Sequence, residues 1–227
     1  MAENLLVPIW QTPGATWNFE MAAHLLRRAG FGGTLDEIQA LIRMGATAAV
    51  LSVVNYKGVR DEMGGVEFGE LTAPGMGRGL IPAAGAAARG PAARGGAAGR
   101  GVAPPAQTPQ AVINTLPEDQ KKAMQQIIQA SQRAKEEEIR LWWLDRMVRT
   151  KRPLEEKMTL FWHGLLVSSA QTVKNSYLLY QQNQLYRQHA TGNFRTLIRE
   201  VSRNPAMLTY LNNNQTVKAH PNENYAR

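Results

Sequence analysis

From Asn18 onward the apolar positions recur every three or four residues, which is the period of one face of an α-helix. Met21, Leu25 and Leu26 make the first such face; Asn18 can cap its start, and Gly30 stands where a left-handed residue would close it. Thr34-Leu35-Asp36-Glu37 has the spacing of a capping box, in which Thr34 and Glu37 satisfy each other's backbone donors. Leu35, Ile38, Leu41 and Ile42 then form a second face that Gly45 ends, and Thr47 opens a third through Val50, Leu51 and Val54. These positions predict three short helices and a small helical subdomain over residues 1–57.

The periodicity stops at about Gly58. Between Pro74 and Pro109 the chain is mostly Gly, Ala and Pro, punctuated by Arg78, Arg89, Arg94 and Arg100. Such a composition buries too little apolar surface to offset the entropy of ordering it, so residues 58–114 are expected to form a disordered insertion or linker.

Periodicity returns at Thr115-Leu116-Pro117-Glu118, with Pro suited to a first helical turn, and holds to about Arg149. The early half of this long helix carries a narrow stripe of Met124, Ile127 and Ile128. The later half is apolar over most of its circumference, through Ile139, Leu141, Trp142, Trp143, Leu144, Met147 and Val148. A helix apolar on nearly all sides is expected to be enclosed by others. Glu136 with Arg140, and Asp145 with Arg149, have the i,i+4 spacing of surface ion pairs.

Shorter helices follow. Pro153 opens one through Met158, Phe161, Trp162 and Leu165; a second runs from about Asn175 to Ala190 and ends at Gly192. Asn193 caps Phe194 to Arg203, and Asn204-Pro205 starts the turn carrying Met207 and Leu208. No stretch alternates like a strand, so the fold class is all-α, a bundle-like assembly whose helical domain occupies residues 115–227. The final Pro221-Asn222-Glu223-Asn224-Tyr225-Ala226-Arg227 reads as a helix start without its helix. One turn does not offset its own nucleation cost, and the natural polypeptide is therefore expected to continue, with a site completed beyond Arg227.

Composition changes this picture little. The net charge of +8 falls to +4 once the four arginines of the Gly/Ala/Pro-rich stretch are set aside, and that remainder is spread along the helical parts. A nucleic-acid partner is therefore not favoured, the more so because that stretch lacks the aromatics that stack on bases. The absence of cysteine excludes disulfides, thiol nucleophiles and thiolate metal sites. Leu5-Leu6-Val7 is preceded by Glu3 and cut short by Pro8, which is not the pattern of a signal peptide, and nothing approaches the roughly 20 apolar residues of a membrane span. No Gly-rich phosphate loop, nucleophile elbow or zinc motif is present.

Several separated motifs resemble those of a bacterial family, domain of unknown function 1800. They are His24-Leu25-Leu26-Arg27-Arg28-Ala29-Gly30-Phe31-Gly32, Pro153-Leu154-Glu155-Glu156-Lys157-Met158 running into Phe161-Trp162-His163, Gly192-Asn193-Phe194-Arg195, Asn204-Pro205-Ala206-Met207-Leu208, and the terminal Pro221 to Arg227. The resemblance covers all but the low-complexity stretch. It implies an α-helical protein without an assigned reaction, and a possible exported, sulfatase-like protein partner encoded nearby. The family pattern Trp-His-x-His-Phe departs here: Trp162-His163 is followed by Gly164, Leu165 and Leu166, which weakens a metal site.

Three groups of residues are candidates for chemistry. His163 falls beside Glu156 and Thr159 on a helical wheel, as an acid/base or lone ligand in a polar pocket, or as a boundary histidine held by one carbonyl. Glu156 and His163 lie about 10 Å apart along the axis, so they meet only through a shared ligand or water. Asn222, Glu223 and Asn224 can coordinate a hard cation or cap a helix against Asn212-Asn213-Asn214. His24, Arg27 and Arg28 can recognise a carboxylate or phosphate, or simply complement a helix dipole. Arg146, Arg149, Lys151 and Arg152 can meet phosphates or simply complement a helix C-terminus, with Trp142 and Trp143 expected in the core rather than as stacking platforms. A catalytic set would draw on His163, Glu156 and Glu223. No cofactor and no metal is assigned. Three functions remain: a scaffold or partner-binding protein, which the packing and capping residues favour; a hydrolase or metal-dependent enzyme; and a basic nucleic-acid binder.

Overall fold

A computed structural model describes residues 16–68, 116–222 and 225. The Gly/Ala/Pro-rich stretch expected to be disordered lies outside these, as do Glu223 and Asn224. Among the described residues the fold is all-α, with one isolated bridge between Val217 and His220 as its only extended pairing. No single helix among the described residues is long and apolar enough to cross a membrane.

Helices α1 (Phe19–Ala29), α2 (Leu35–Met44) and α3 (Ala46–Val54) form the first unit. Asn18 accepts from the Met21 N–H at 3.0 Å, and Thr34 and Glu37 complete the capping box. Ala22, Ala23, Ile38, Leu41 and Ala49 make its core, and Trp17 Nε1 donates to the Leu41 carbonyl at 3.0 Å. Gly30 is extended, with φ −157°, where the sequence suggested a left-handed cap. Its lack of a side chain serves packing instead: a Cβ there would sit 2.9 Å from Cβ of Pro153. Gly45, at φ 77°, makes the turn from α2 into α3, so the third helix begins without a Thr47 cap.

The second unit is built around α4 (Glu118–Arg149), about 48 Å long. Helix α5 (Pro153–Leu165), the short α6 (Ala170–Val173), α7 (Ser176–Gln188), α8 (Phe194–Arg203) and α9 (Pro205–Tyr210) follow. The expected start at Asn193 is capped through Thr196 and that at Asn204 through Ala206, and Asn175, where a helix was expected to begin, caps it through Leu178. Tyr186, Leu197, Val201 and Met207 make an apolar core between α7, α8 and α9.

The interior between α4, α5 and α7 departs from expectation. Only Gln132 and Arg146 of α4 are buried, while Leu141, Leu144 and Val148 are exposed, so the long helix is covered along one side rather than enclosed. On α5 the buried positions are Glu155, Glu156 and Thr159, and Phe161 and Leu165 of the supposed core stripe face outward. The cause is electrostatic: guanidinium groups from α4 and α7 meet the α5 carboxylates, so polar faces turn inward together. On the surface of α4, Arg140 pairs with Glu137 at 3.0 Å rather than with Glu136, whereas Asp145 and Arg149 pair at 2.9 Å as expected.

Residues 59–68 form an extended strap across this interior. Lys135 Nζ donates to the Glu67 carbonyl, Trp142 Nε1 to that of Gly64, and the Val66 N–H to Tyr180 Oη. Phe68 packs its ring 5.1 Å from Tyr177 and 5.2 Å from Tyr180. Gly65 permits the close approach, since a Cβ there would lie 2.7 Å from Tyr180 Oη. This part of the residue range assigned to the linker is thus tied to the helices.

Candidate functional site

Glu156 is the centre of the polar interior and is fully buried. The first turn of α5, opened by Pro153, points it between α4 and α7. Oε1 accepts from Arg146 Nε at 2.5 Å and from Arg187 Nε at 2.7 Å; Oε2 accepts from Arg187 Nη2 and Trp143 Nε1, each at 3.0 Å. An ionised carboxylate has about four lone-pair sites, and four donors fill them. Burial pushes this carboxyl up, but hydrogen bonds and charge from Arg187 and then Arg146 outweigh it and hold Glu156 below its ordinary range.

Both arginines are braced in turn. Arg146 reaches the Asp61 carboxylate of the strap through Nη2, and the Met63 carbonyl through Nη1 at 3.5 Å. Arg187 donates to Asn183 Oδ1 at 2.8 Å and to Gln184 Oε1 at 2.7 Å. Their guanidiniums stand 5.8 and 5.1 Å from the centre of the Trp142 ring, within cation–π reach. Desolvation raises the Asp61 carboxyl, but Arg146, the Met63 N–H and the Arg152 charge together lower it more, so it too stays ionised. Glu155 behaves oppositely: burial lifts its carboxyl, the Arg152 pair at 3.5 Å only partly offsets this, and Oε2 has no hydrogen bond. Its nearest cation contact from that oxygen is Arg146 Nη2 at 3.8 Å. Asp61, Glu155 and Glu156 against Arg146, Arg152 and Arg187 leave the cluster balanced in formal charge.

His163 lies half-buried one ring away. It packs edge-on against Trp143 at 5.1 Å and against Tyr186 at 6.4 Å, and burial holds its pKa below the ordinary histidine value. Trp143 thus separates His163 from Glu156, contacting the first by its ring and the second by its N–H. Tyr186 Oη donates to the Leu166 carbonyl at 2.5 Å, and burial raises its pKa.

The other candidates lie apart. His24, Arg27 and Arg28 are exposed on α1, lining a groove of about 720 Å³ with Trp17, Phe19 and Val50; neither Glu156 nor His163 lines it. Asn222 donates to the Leu211 carbonyl at 2.7 Å, at a second groove of about 400 Å³ that includes Tyr210 and His220. Glu223 and Asn224 fall outside the described residues. Among the described residues no group of three His, Asp or Glu side chains is placed to hold a metal ion.

The surface end of α5 carries a second arrangement. Phe161, exposed, stands 4.9 Å from the Trp162 ring, and Trp162 stacks on the exposed Phe194 at 5.6 Å with 26° between planes. Trp162 is fixed by its N–H, which donates to the Ala190 carbonyl at 2.8 Å. Leu165 adds an exposed apolar side chain on the same helix. This ridge joins two of the separated sequence motifs, Phe161-Trp162-His163 and Gly192-Asn193-Phe194-Arg195.

Sequence reasoning missed the roles of Arg146, Arg187 and Asp61, and placed Arg146 with the surface cations. One signal was available: Arg187 is the single charged residue in the thirteen of α7, and a lone cation in an otherwise uncharged helix asks for a buried partner. Asp61 offered none, because its partner is 85 residues away.

No curated protein and no solved structure matches the chain. The model of a family described as protein of unknown function, DUF1800, matches residues 24–227. With the match spanning both helical units and every residue of the buried charge cluster and the aromatic ridge, the chain belongs to the DUF1800 family.

Proposed function

We propose that this chain is a non-catalytic helical domain that binds a protein partner through the Phe161–Trp162–Phe194 ridge. The observation that carries the reading is the ridge itself: large aromatic side chains held open to solvent, with Trp162 locked by a hydrogen bond to the backbone. Preorganised aromatics lose little entropy on contact and are enriched among residues that dominate interfaces. The interior supports the same reading. Glu156 has no acceptor site left for a substrate proton, and its donors serve to rigidify the packing of α4, α5 and α7. The partner chemistry that fits is an apolar helix face or an apolar loop, and the family resemblance makes an exported sulfatase-like protein the first to test.

A hydrolase or metal-dependent enzyme has one observation in its favour, a half-buried imidazole, His163, kept neutral near pH 7. Trp143 stands between it and Glu156, and His24 lies on a different helix, in a groove that His163 does not line. The nucleic-acid reading rests on Arg78, Arg89, Arg94 and Arg100, outside the described residues.

The test is calorimetric titration of the chain with an exported sulfatase-like protein from the same genome, the partner class that the family resemblance suggests. Binding is expected, and Phe161→Ser with Phe194→Ser should weaken it at least tenfold, about 1.4 kcal/mol, while leaving the melting temperature nearly unchanged. Unaltered affinity in the double variant, or no binding, would sink this assignment.

A further inference from the structure

The outward face of α4 follows a seven-residue repeat. Ile127, Ala130, Ala134, Glu137, Leu141, Leu144 and Val148 are spaced alternately by three and four residues, and all are exposed. That is the a/d seam of a coiled coil, with Ile127, Ala134, Leu141 and Val148 at a, and Ala130, Glu137 and Leu144 at d. The two buried residues of the helix, Gln132 and Arg146, are both at f, about 170° around the helix from the seam. The body of the protein therefore sits on the far side, and the seam runs open for about 32 Å. Leu141, Leu144 and Val148 are 59, 56 and 83 % exposed, a cost in water that scattered single side chains do not share.

The flanking charges identify what covers it. The g positions preceding the a residues are Gln126, Arg133, Arg140 and Met147, and the e positions following the d residues are Ser131, Glu138 and Asp145, so the charged flanks are Arg133 and Arg140 at g and Glu138 and Asp145 at e. In a parallel pair, each g side chain faces the e side chain five residues further along the other helix. Arg133 then meets Glu138 and Arg140 meets Asp145 of a second copy, each pair occurring twice by symmetry. In an antiparallel pair aligned on Leu141 and Leu144, Glu138 instead faces Asp145, which repels. We propose that this face of α4 binds a second copy of the chain in a parallel, two-stranded coiled coil. In the single chain these side chains pair with neighbours on the same helix, Glu138 with the largely covered Lys135, which also holds the Glu67 carbonyl, and Glu137 with Arg140 and Asp145 with Arg149 in exposed pairs that exchange at little cost. Ile127 and Val148 at a, with Leu144 at d, suit two strands. Glu137 is the one seam residue that opposes it, since two copies bring these carboxylates together, and it keeps the association weak and reversible.

This surface is separate from the aromatic ridge, so its test does not depend on that assignment. Sedimentation equilibrium of the full 227-residue chain should show a species of twice 25.1 kDa at high concentration. Glu137→Leu should tighten the dimer at least tenfold, and Arg140→Glu should weaken it. Asp145→Arg added to Arg140→Glu should restore it, a rescue that a general loss of fold does not give. Because the chain has no cysteine, Leu144→Cys places a single thiol at d, and mild oxidation should link two copies in the parallel arrangement. A chain that stays monomeric at every concentration overturns the proposal, as does a dimer that Leu144→Cys fails to cross-link or whose charge swap brings no recovery.

Discussion

Glu155 and Glu156 are chemical twins one residue apart, and their surroundings send them in opposite directions. Glu156 has four donors and a depressed pKa; Glu155 is buried with one oxygen unbonded and a raised pKa. Stability from Glu156 is complete above its ordinary value near 4.5 and is lost as the pH falls through its lower folded value. Glu155 contributes with the reverse sign: its favourable neutral form is populated below 4.5 and given up as the pH rises through its raised folded value. Glu156→Gln leaves two buried guanidiniums short of a counter-charge and should cost about 3–5 kcal/mol in urea unfolding at pH 7, with the deficit shrinking in acid. Glu155→Gln should instead stabilise the chain at pH 7, an advantage that disappears below pH 4.5. Equal signs for the two variants would contradict the network as described. His163, desolvated against Trp143, should titrate below 6.5 when its imidazole protons are followed by NMR. A midpoint above that value would mean an anionic partner has been overlooked.

Helices in this protein are joined by polar side chains as much as by apolar faces. Gln132, from the middle of α4, accepts from both the N–H and the hydroxyl of Ser176 at 2.8 and 2.7 Å, and so caps α7 from another helix while Asn175 caps it locally. Gln132→Ala strands two buried donors and should cost about 1–3 kcal/mol. Hydrogen exchange at the start of α7 should quicken in that variant, and unchanged protection there would show that Asn175 suffices. Local caps were legible in the sequence because their spacing is fixed by helix geometry, as Thr34 with Glu37 and Asn193 with Thr196 illustrate. The cap from Gln132 was not, because it spans 44 residues. The same limit explains α5. Its apolar residues suggested a core stripe, yet the face that turned inward was chosen by guanidiniums on α4 and α7.

At the scale of the molecule, a strap of ten residues closes the charge cluster. Asp61 binds Arg146, Arg152 Nε donates to the Val59 carbonyl at 2.6 Å, and Gly65 lies against Tyr180. Asp61→Ala should loosen the strap, exposing the Val66 N–H to rapid exchange and costing about 1.5–3 kcal/mol for a charged hydrogen bond. Slow exchange in that variant would show that Phe68 and its tyrosines hold the strap without the ion pair. The ridge at the end of α5 and the seam along α4 are apolar surfaces left on the outside. Both follow from a polar interior, since the apolar residues that helix periodicity supplies have to lie elsewhere.

The all-α class, the family, the positions of the described helices and most of their caps were determined by the sequence itself, because hydrophobic period and cap spacing act over a few residues. Ile38 and Leu41 of α2 turned inward as their period foretold, but which face of α4 and of α5 is inside was decided only by tertiary structure. Arg146, Arg187 and Asp61 belong to three distant segments, and their preference for Glu156 exists only once folding has removed water from around them. The direction in which α4 and α5 present their leucines and phenylalanines was settled by that charge pairing.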